Sequence, residues 1–214
     1  MTTKARYHHG DLRAALLDAA EALLAERGFA GFTLRECARR AGVSHAAPAH
    51  HFGSAAGMLT ALAARGFERL VNAVRDARRA ASETDLDAQL AATMRAYVGY
   101  ARREPELFRL MFRREVLLEE DAALHGAAEA TYAELTNVIR AQRGEAPIGP
   151  QDLGVLRTTT RLVEDILVGW CHIHGLAHLL IEGQLDVMTE GDEEAFLERV
   201  IAENAPRLGA ALRA

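Results

Sequence analysis

Histidines crowd one stretch of this chain. His172, His174 and His178 follow directly on Cys171. His174 and His178 are four residues apart, so on a helix they share a face, and that spacing can hold Zn²⁺. A zinc site needs further donors. No HExxH motif occurs, and no nearby Asp or Glu completes a ligand set. The expectation is therefore that no metal is bound, with His174 hydrogen-bonded inside a core or pocket. Glu164 and Asp165 are the acids a cationic ligand would use, but a solvent-facing or interface role is expected for both. There is no GxSxG, no P-loop and no Gly-rich dinucleotide turn, so neither catalysis nor a cofactor is expected.

A second cluster lies near the front. Thr33, Arg35, Glu36, Arg39, Arg40 and Ser44 are followed by His45, His50 and His51. Hydroxyls beside helix starts, free first-turn amides and arginines make up the chemistry of phosphate recognition. Charge is arranged to match. The 214 residues carry a net −5, but residues 1–80 hold 12 Lys+Arg against 7 Asp+Glu, and residues 81–214 hold 13 against 23. The front is basic and the back acidic. An acidic average by itself would have spoken against a nucleic-acid partner.

These residues need helices to position them. The chain is 50% hydrophobic, 6% aromatic and rich in Ala, Leu, Glu and Arg, which favours an all-α fold over a sandwich or barrel. An apolar stripe through Leu12, Leu16, Ala20, Leu23 and Leu24 predicts a helix from about Asp11 to Arg27, stopped by Gly28. Thr33-Leu-Arg-Glu36 reads as a capping box opening a short second helix, with Gly42 in the following turn. Ser44 is expected to cap a third helix running to His51, with Pro48 in its first turn and Phe52 as a plug. Ser54 is expected to cap a fourth, from Ala55 to Ala81, with Met58, Leu62, Phe67, Leu70 and Val74 inward. Further helices are expected near 86–103, 105–116, 120–143, 151–182 and 192–212, about nine in all. No apolar run is long enough to cross a membrane, the polar N-terminus lacks a signal core, and Cys37 and Cys171 make no disulfide framework. A cytoplasmic location is expected.

The layout from 33 to 52 is that of a helix-turn-helix. Phe32-Thr-Leu-Arg-Glu-Cys-Ala-Arg-Arg-Ala-Gly-Val-Ser44, then His51-Phe52, resembles the DNA-binding domain of TetR-family transcriptional regulators. Tyr7-His-His-Gly-Asp-Leu-Arg13 and Gly169-Trp-Cys-His-Ile-His174-Gly-Leu176 are similar to a branch named for a Trp-His-Gly signature. The resemblance implies a DNA-binding domain over 1–53 and a ligand-binding and dimerisation domain over 54–214. It implies a homodimer through the last two helices, a palindromic double-stranded DNA operator and a small-molecule effector. The implied DNA contacts are Lys4, Arg6, Tyr7, Thr33, Arg35, Ser44, His45, Ala46, Ala47, His50, His51 and Ser54. The candidate effector-pocket residues are Tyr97, Phe108, Met111, Phe112, Tyr132, Trp170 and His174.

Two positions depart from the family pattern. Ala49 stands where Tyr is usual, and Ala55 where Lys is usual; both usual residues contact phosphate. The expected result is weaker DNA binding whose salt dependence is flattened by about 0.9 log units for the one lost charge per subunit. The reading that follows is a ligand-released repressor. A ligand-binding regulator that has lost DNA binding is the alternative, and a metal-dependent helical-bundle enzyme the remotest.

Overall fold

The computed structural model describes residues 9–82, 84–158, 160–189 and 191–214. Among them are ten α-helices and no strand. The chain packs as two compact units, one of residues up to Gly66 with Glu106–His125, the other of Phe67–Pro105 with Gly126–Ala214.

In the first unit, α1 (His9–Arg27) buries Leu16, Ala20, Leu23 and Leu24 of the expected stripe, leaves Leu12 half-buried, and also buries Leu17, which the stripe did not include. Gly28, at φ 62°, ends it, and its N–H donates back to the Leu24 carbonyl. After a 3-10 turn, α2 (Leu34–Arg40) starts at Thr33, whose hydroxyl accepts from the Glu36 N–H at 3.2 Å. Gly42, at φ 67°, turns the chain toward α3 (Ala47–Phe52). α4 (Ala55–Ala80) is capped as expected, with the Gly57 N–H donating to Ser54 Oγ at 3.0 Å. α6 (Pro105–Met111) brings Met111 onto α4 so closely that a Cβ on Gly66 would lie 2.7 Å from the Met111 sulfur.

Two expectations for this unit are corrected. Ser44 does not cap α3, which begins three residues later. A helix from Ser44 would need the residue-48 N–H to reach the Ser44 carbonyl, and Pro48 has none. The Ala47 N–H bonds that carbonyl instead, and the α-helical ladder opens with His50 N–H to Ala46. The capping box is also only half formed, because the Glu36 carboxylate turns away to arginines.

In the second unit, α5 (Leu86–Arg103) is capped by Asp85 and packs against both α8 (Thr160–Ile181) and α10 (Glu193–Arg213). α7 (Ala122–Gln142) joins this unit from Gly126, and Thr131 there donates to the Phe67 carbonyl at 3.1 Å. The helix expected over 151–182 is a 3-10 stretch over Pro150–Thr158 followed by α8. Gly154 and the β-branched run Thr158-Thr-Thr160 weaken an α-helix there. The tenth helix is the short α9 (Asp186–Thr189), in a segment read as loop.

Candidate nucleic-acid interface and effector pocket

The helix-turn-helix is held from beneath by apolar contacts. Cys37 and Ala38 of α2 and Pro48 of α3 are buried, while Ser44, His45, Ala46, Ala49 and His50 face solvent. Burial pushes the Cys37 thiol up to about 11, consistent with a packing role. His51 is half-buried with its ring beside Phe52, and the Arg13 guanidinium lies 5.0 Å from the Phe52 ring centroid. Thr33 and Ser54 are exposed, and each hydroxyl accepts from its own helix start, leaving the O–H to donate outward. Ala47 is half-buried. Lys4, Arg6 and Tyr7 lie outside the described residues.

Charge is distributed differently from the sequence expectation. Arg39 donates twice to Glu36, at 2.8 and 2.6 Å. Arg40 bonds Glu26 and lies 3.5 Å from Glu36, and Arg27 also approaches both acids. The Arg39 hydrogen bonds hold the Glu36 carboxyl down at about 2, so it is charged at any working pH. Arg39 and Arg40 are thus engaged rather than offered. Arg35 is exposed and makes no ion pair among the described residues.

The pocket candidates divide between the two units. Phe108, Met111 and Phe112 belong to the first, where Phe108 and Met111 are buried and the two phenylalanine rings are 5.1 Å apart. Tyr97, Tyr132, Trp170 and His174 gather in the second as a chain of rings. Tyr132 meets Trp170 edge-on at 6.4 Å, Trp170 meets His174 at 5.5 Å, and His174 meets His178 at 4.5 Å. The Tyr97 hydroxyl is 2.9 Å from His174 Nδ1. Burial pushes the Tyr97 phenol up, opposed by a hydrogen bond from the Trp170 indole. The Tyr97 phenol and the His174 imidazole share one hydrogen bond, whose donor is set by the imidazole tautomer. Burial, then the neighbouring His178 charge, pull His174 down to about 4. No three His, Cys, Asp or Glu among the described residues gather as metal ligands. Asp165 is bonded to Arg143, and Glu164 is exposed.

Beside this ring chain, α5, α7, α8 and α10 line a cleft open to solvent, with a cavity volume of about 40 Å³. Tyr132 and Trp170 line it, with Leu90, Met94, Ile139 and Ile166 among the residues that sequence reasoning missed. Their spacing matches ordinary core, and nothing in the sequence separates a cavity wall from a filled interior.

Both parts of the chain match one family. Residues 16–62 match the bacterial regulatory proteins of the tetR family, and residues 90–204 match the tetracyclin repressor-like C-terminal domain. The chain belongs to the TetR family. The C-terminal match does not single out a Trp-His-Gly branch. Over 99% of its length the chain is similar, at 31% identity and a TM-score of 0.76, to the whole of a Rhodococcus sp. RHA1 protein of unknown function. It is 30% identical over 118 residues to the HTH-type transcriptional activator FasR of Mycolicibacterium smegmatis, covering 55% of this chain and 53% of FasR. It is 27% identical over 124 residues, 58% of this chain and 61% of the relative, to an uncharacterised HTH-type transcriptional regulator in the dhlA 5′ region of Xanthobacter autotrophicus. The chain thus matches only a little over half the length of these two curated relatives.

Proposed function

We propose that the protein is a transcriptional regulator that binds a palindromic operator as a homodimer and is released by a small molecule held in the pocket beside Trp170. The observation that carries this reading is the exposed edge formed by Ser44, His45 and Ala46, which lead into α3, and by His50 on α3, a helix held from beneath by buried Pro48. That edge is free to enter a major groove, and its small alanines allow close approach. Dimerisation is supported by α8, where Leu167, Val168 and Leu179 are exposed apolar residues on a helix already packed inward through Ile166, Ile173 and Leu180. A second copy of the same face is the natural cover, with α10 alongside. Ligand binding would favour one spacing of the paired reader helices over the other, and operator half-sites about 34 Å apart accept only one.

Ala49, Ala55 and the engaged Arg39 and Arg40 favour a second reading, a ligand-binding regulator without DNA affinity. An electrophoretic shift with DNA from upstream of its own gene separates the two. A retarded band that sharpens with protein concentration supports the regulator; no shift at low salt refutes it.

A further inference from the structure

We infer that the effector is an uncharged, hydrocarbon-rich molecule carrying at most a neutral hydrogen-bonding group, such as a medium-chain alcohol. This rests on the pocket beside Trp170 being the effector site. The lining supplies the argument. Leu90, Met94, Val138, Ile139 and Ile166, all buried, form an aliphatic floor. Trp170 and Tyr132, 36% and 37% exposed, stand edge-on at the mouth. No Asp, Glu, Lys or Arg among the described residues lines the space.

The polar groups present suit a neutral head. The Thr93 hydroxyl is buried and already donates to the Gln89 carbonyl at 2.9 Å, so toward the pocket it can only accept. Tyr132 offers a phenol that burial keeps protonated, a neutral donor and acceptor. Arg140, near the end of α7, is committed to Glu145 at 2.9 Å, and Arg143, just past it, to Asp165. His172 also lines the space, as an exposed imidazole in contact with solvent. An ammonium entering here would lose hydration and meet no counter-charge, and a carboxylate would meet only that solvent-screened ring, whereas a hydroxyl would find a buried partner.

One close approach lies in the wall of the site. Gly169 and Ile139 both line the space, and a Cβ on Gly169 would fall 2.9 Å from Ile139 Cδ1. Gly169→Ala therefore pushes the flexible end of Ile139 into the cavity, and Ile139→Val removes the carbon it strikes.

The chain has a single tryptophan, Trp170, so its emission reports the pocket. Octan-1-ol, octanoate and octylammonium are titrated into the full-length protein at pH 7.5. The expected result is a saturable blue shift with octan-1-ol at a dissociation constant at least about tenfold below either ion, the ratio that 1.4 kcal/mol sets. Gly169→Ala should weaken octan-1-ol about tenfold, and Gly169→Ala with Ile139→Val should restore it, each variant matching the wild-type circular dichroism. Equal or tighter binding of either ion overturns the inference, as does no saturable response to any of the three, or failure of the second substitution to restore binding. Octan-1-ol preference in a protein that shifts no DNA sustains the ligand class and refutes the regulatory reading instead.

Discussion

The buried imidazole of His174 makes stability depend on pH in a defined direction. In the folded chain burial, then His178, hold this group at about 4 against an ordinary 6.5. As pH falls below 6.5 the unfolded chain takes up a proton that the folded chain refuses, so folding weakens steadily until both forms are protonated near pH 4. Above pH 6.5 both are neutral, and the contribution is flat. At 1.36 kcal/mol per decade the whole effect is about 3 kcal/mol, falling to roughly 2 once the ring's solvent-facing edge is screened. Urea unfolding of wild type and His174→Leu, at one protomer concentration and at steps from pH 7.5 to 4, isolates it. His174→Leu removes the Tyr97 hydroxyl's partner at Nδ1, a pH-independent loss of about 1–3 kcal/mol. The wild-type curve should fall by roughly 2 kcal/mol more than the variant's across the window. Parallel curves, or an NMR titration placing His174 at its ordinary value, would refute the reasoning.

Releasing Arg39 from Glu36 should strengthen DNA binding. Glu36→Gln keeps the Thr33 cap, leaves Arg40 on Glu26, removes the charge that holds exposed Arg39, and steepens the salt dependence by about 0.9 log units for that one arginine; fluorescence anisotropy from 50 to 200 mM salt checks it. Gly42→Ala meets no atom within 4 Å, yet holds φ 67°, so its destabilisation should be backbone strain alone, about 1 kcal/mol by denaturant midpoint. Iodoacetamide should alkylate exposed Cys171 rapidly and spare Cys37, buried with a thiol near 11, until the protein unfolds. Cys171 alkylation should slow at concentrations where the α8 faces pair, and a concentration-independent rate would argue against that interface.

Much of the fold was legible because burial follows a helical period. Met58, Leu62, Phe67, Leu70 and Val74 are all buried along α4, and α5 runs over 86–103 as read. Local chemistry was less legible where two partners compete. Glu36 is well placed for a capping box, but three arginines outbid the Thr33 amide, two of them on its own helix. Ser44 carries the right side chain for a cap, but Pro48 withholds the N–H that would start the helix there. The ring cluster of Tyr97, Trp170 and His174 was visible as large residues on expected helices. Phe108 and Met111, of the same type and spacing, fill the interior of the other unit. Composition separates polar from apolar surroundings, but it does not tell a filled interior from an open one.

The Glu36 clasp bears on where such a regulator spends its time in a cell. A bacterial chromosome offers millions of incidental sites, held almost wholly through phosphate contacts, which compete with one operator for every copy of the protein. Two arginines paired with acids of their own unit would, on the proposed reading, lower the hold of all those sites together while leaving the exposed Ser44, His45 and His50 unchanged. Fewer copies are then stranded along the genome, and a small cellular pool suffices to fill the operator. On the proposed reading, that occupancy would be tuned by the Glu36 carboxylate through the charge it takes from Arg39.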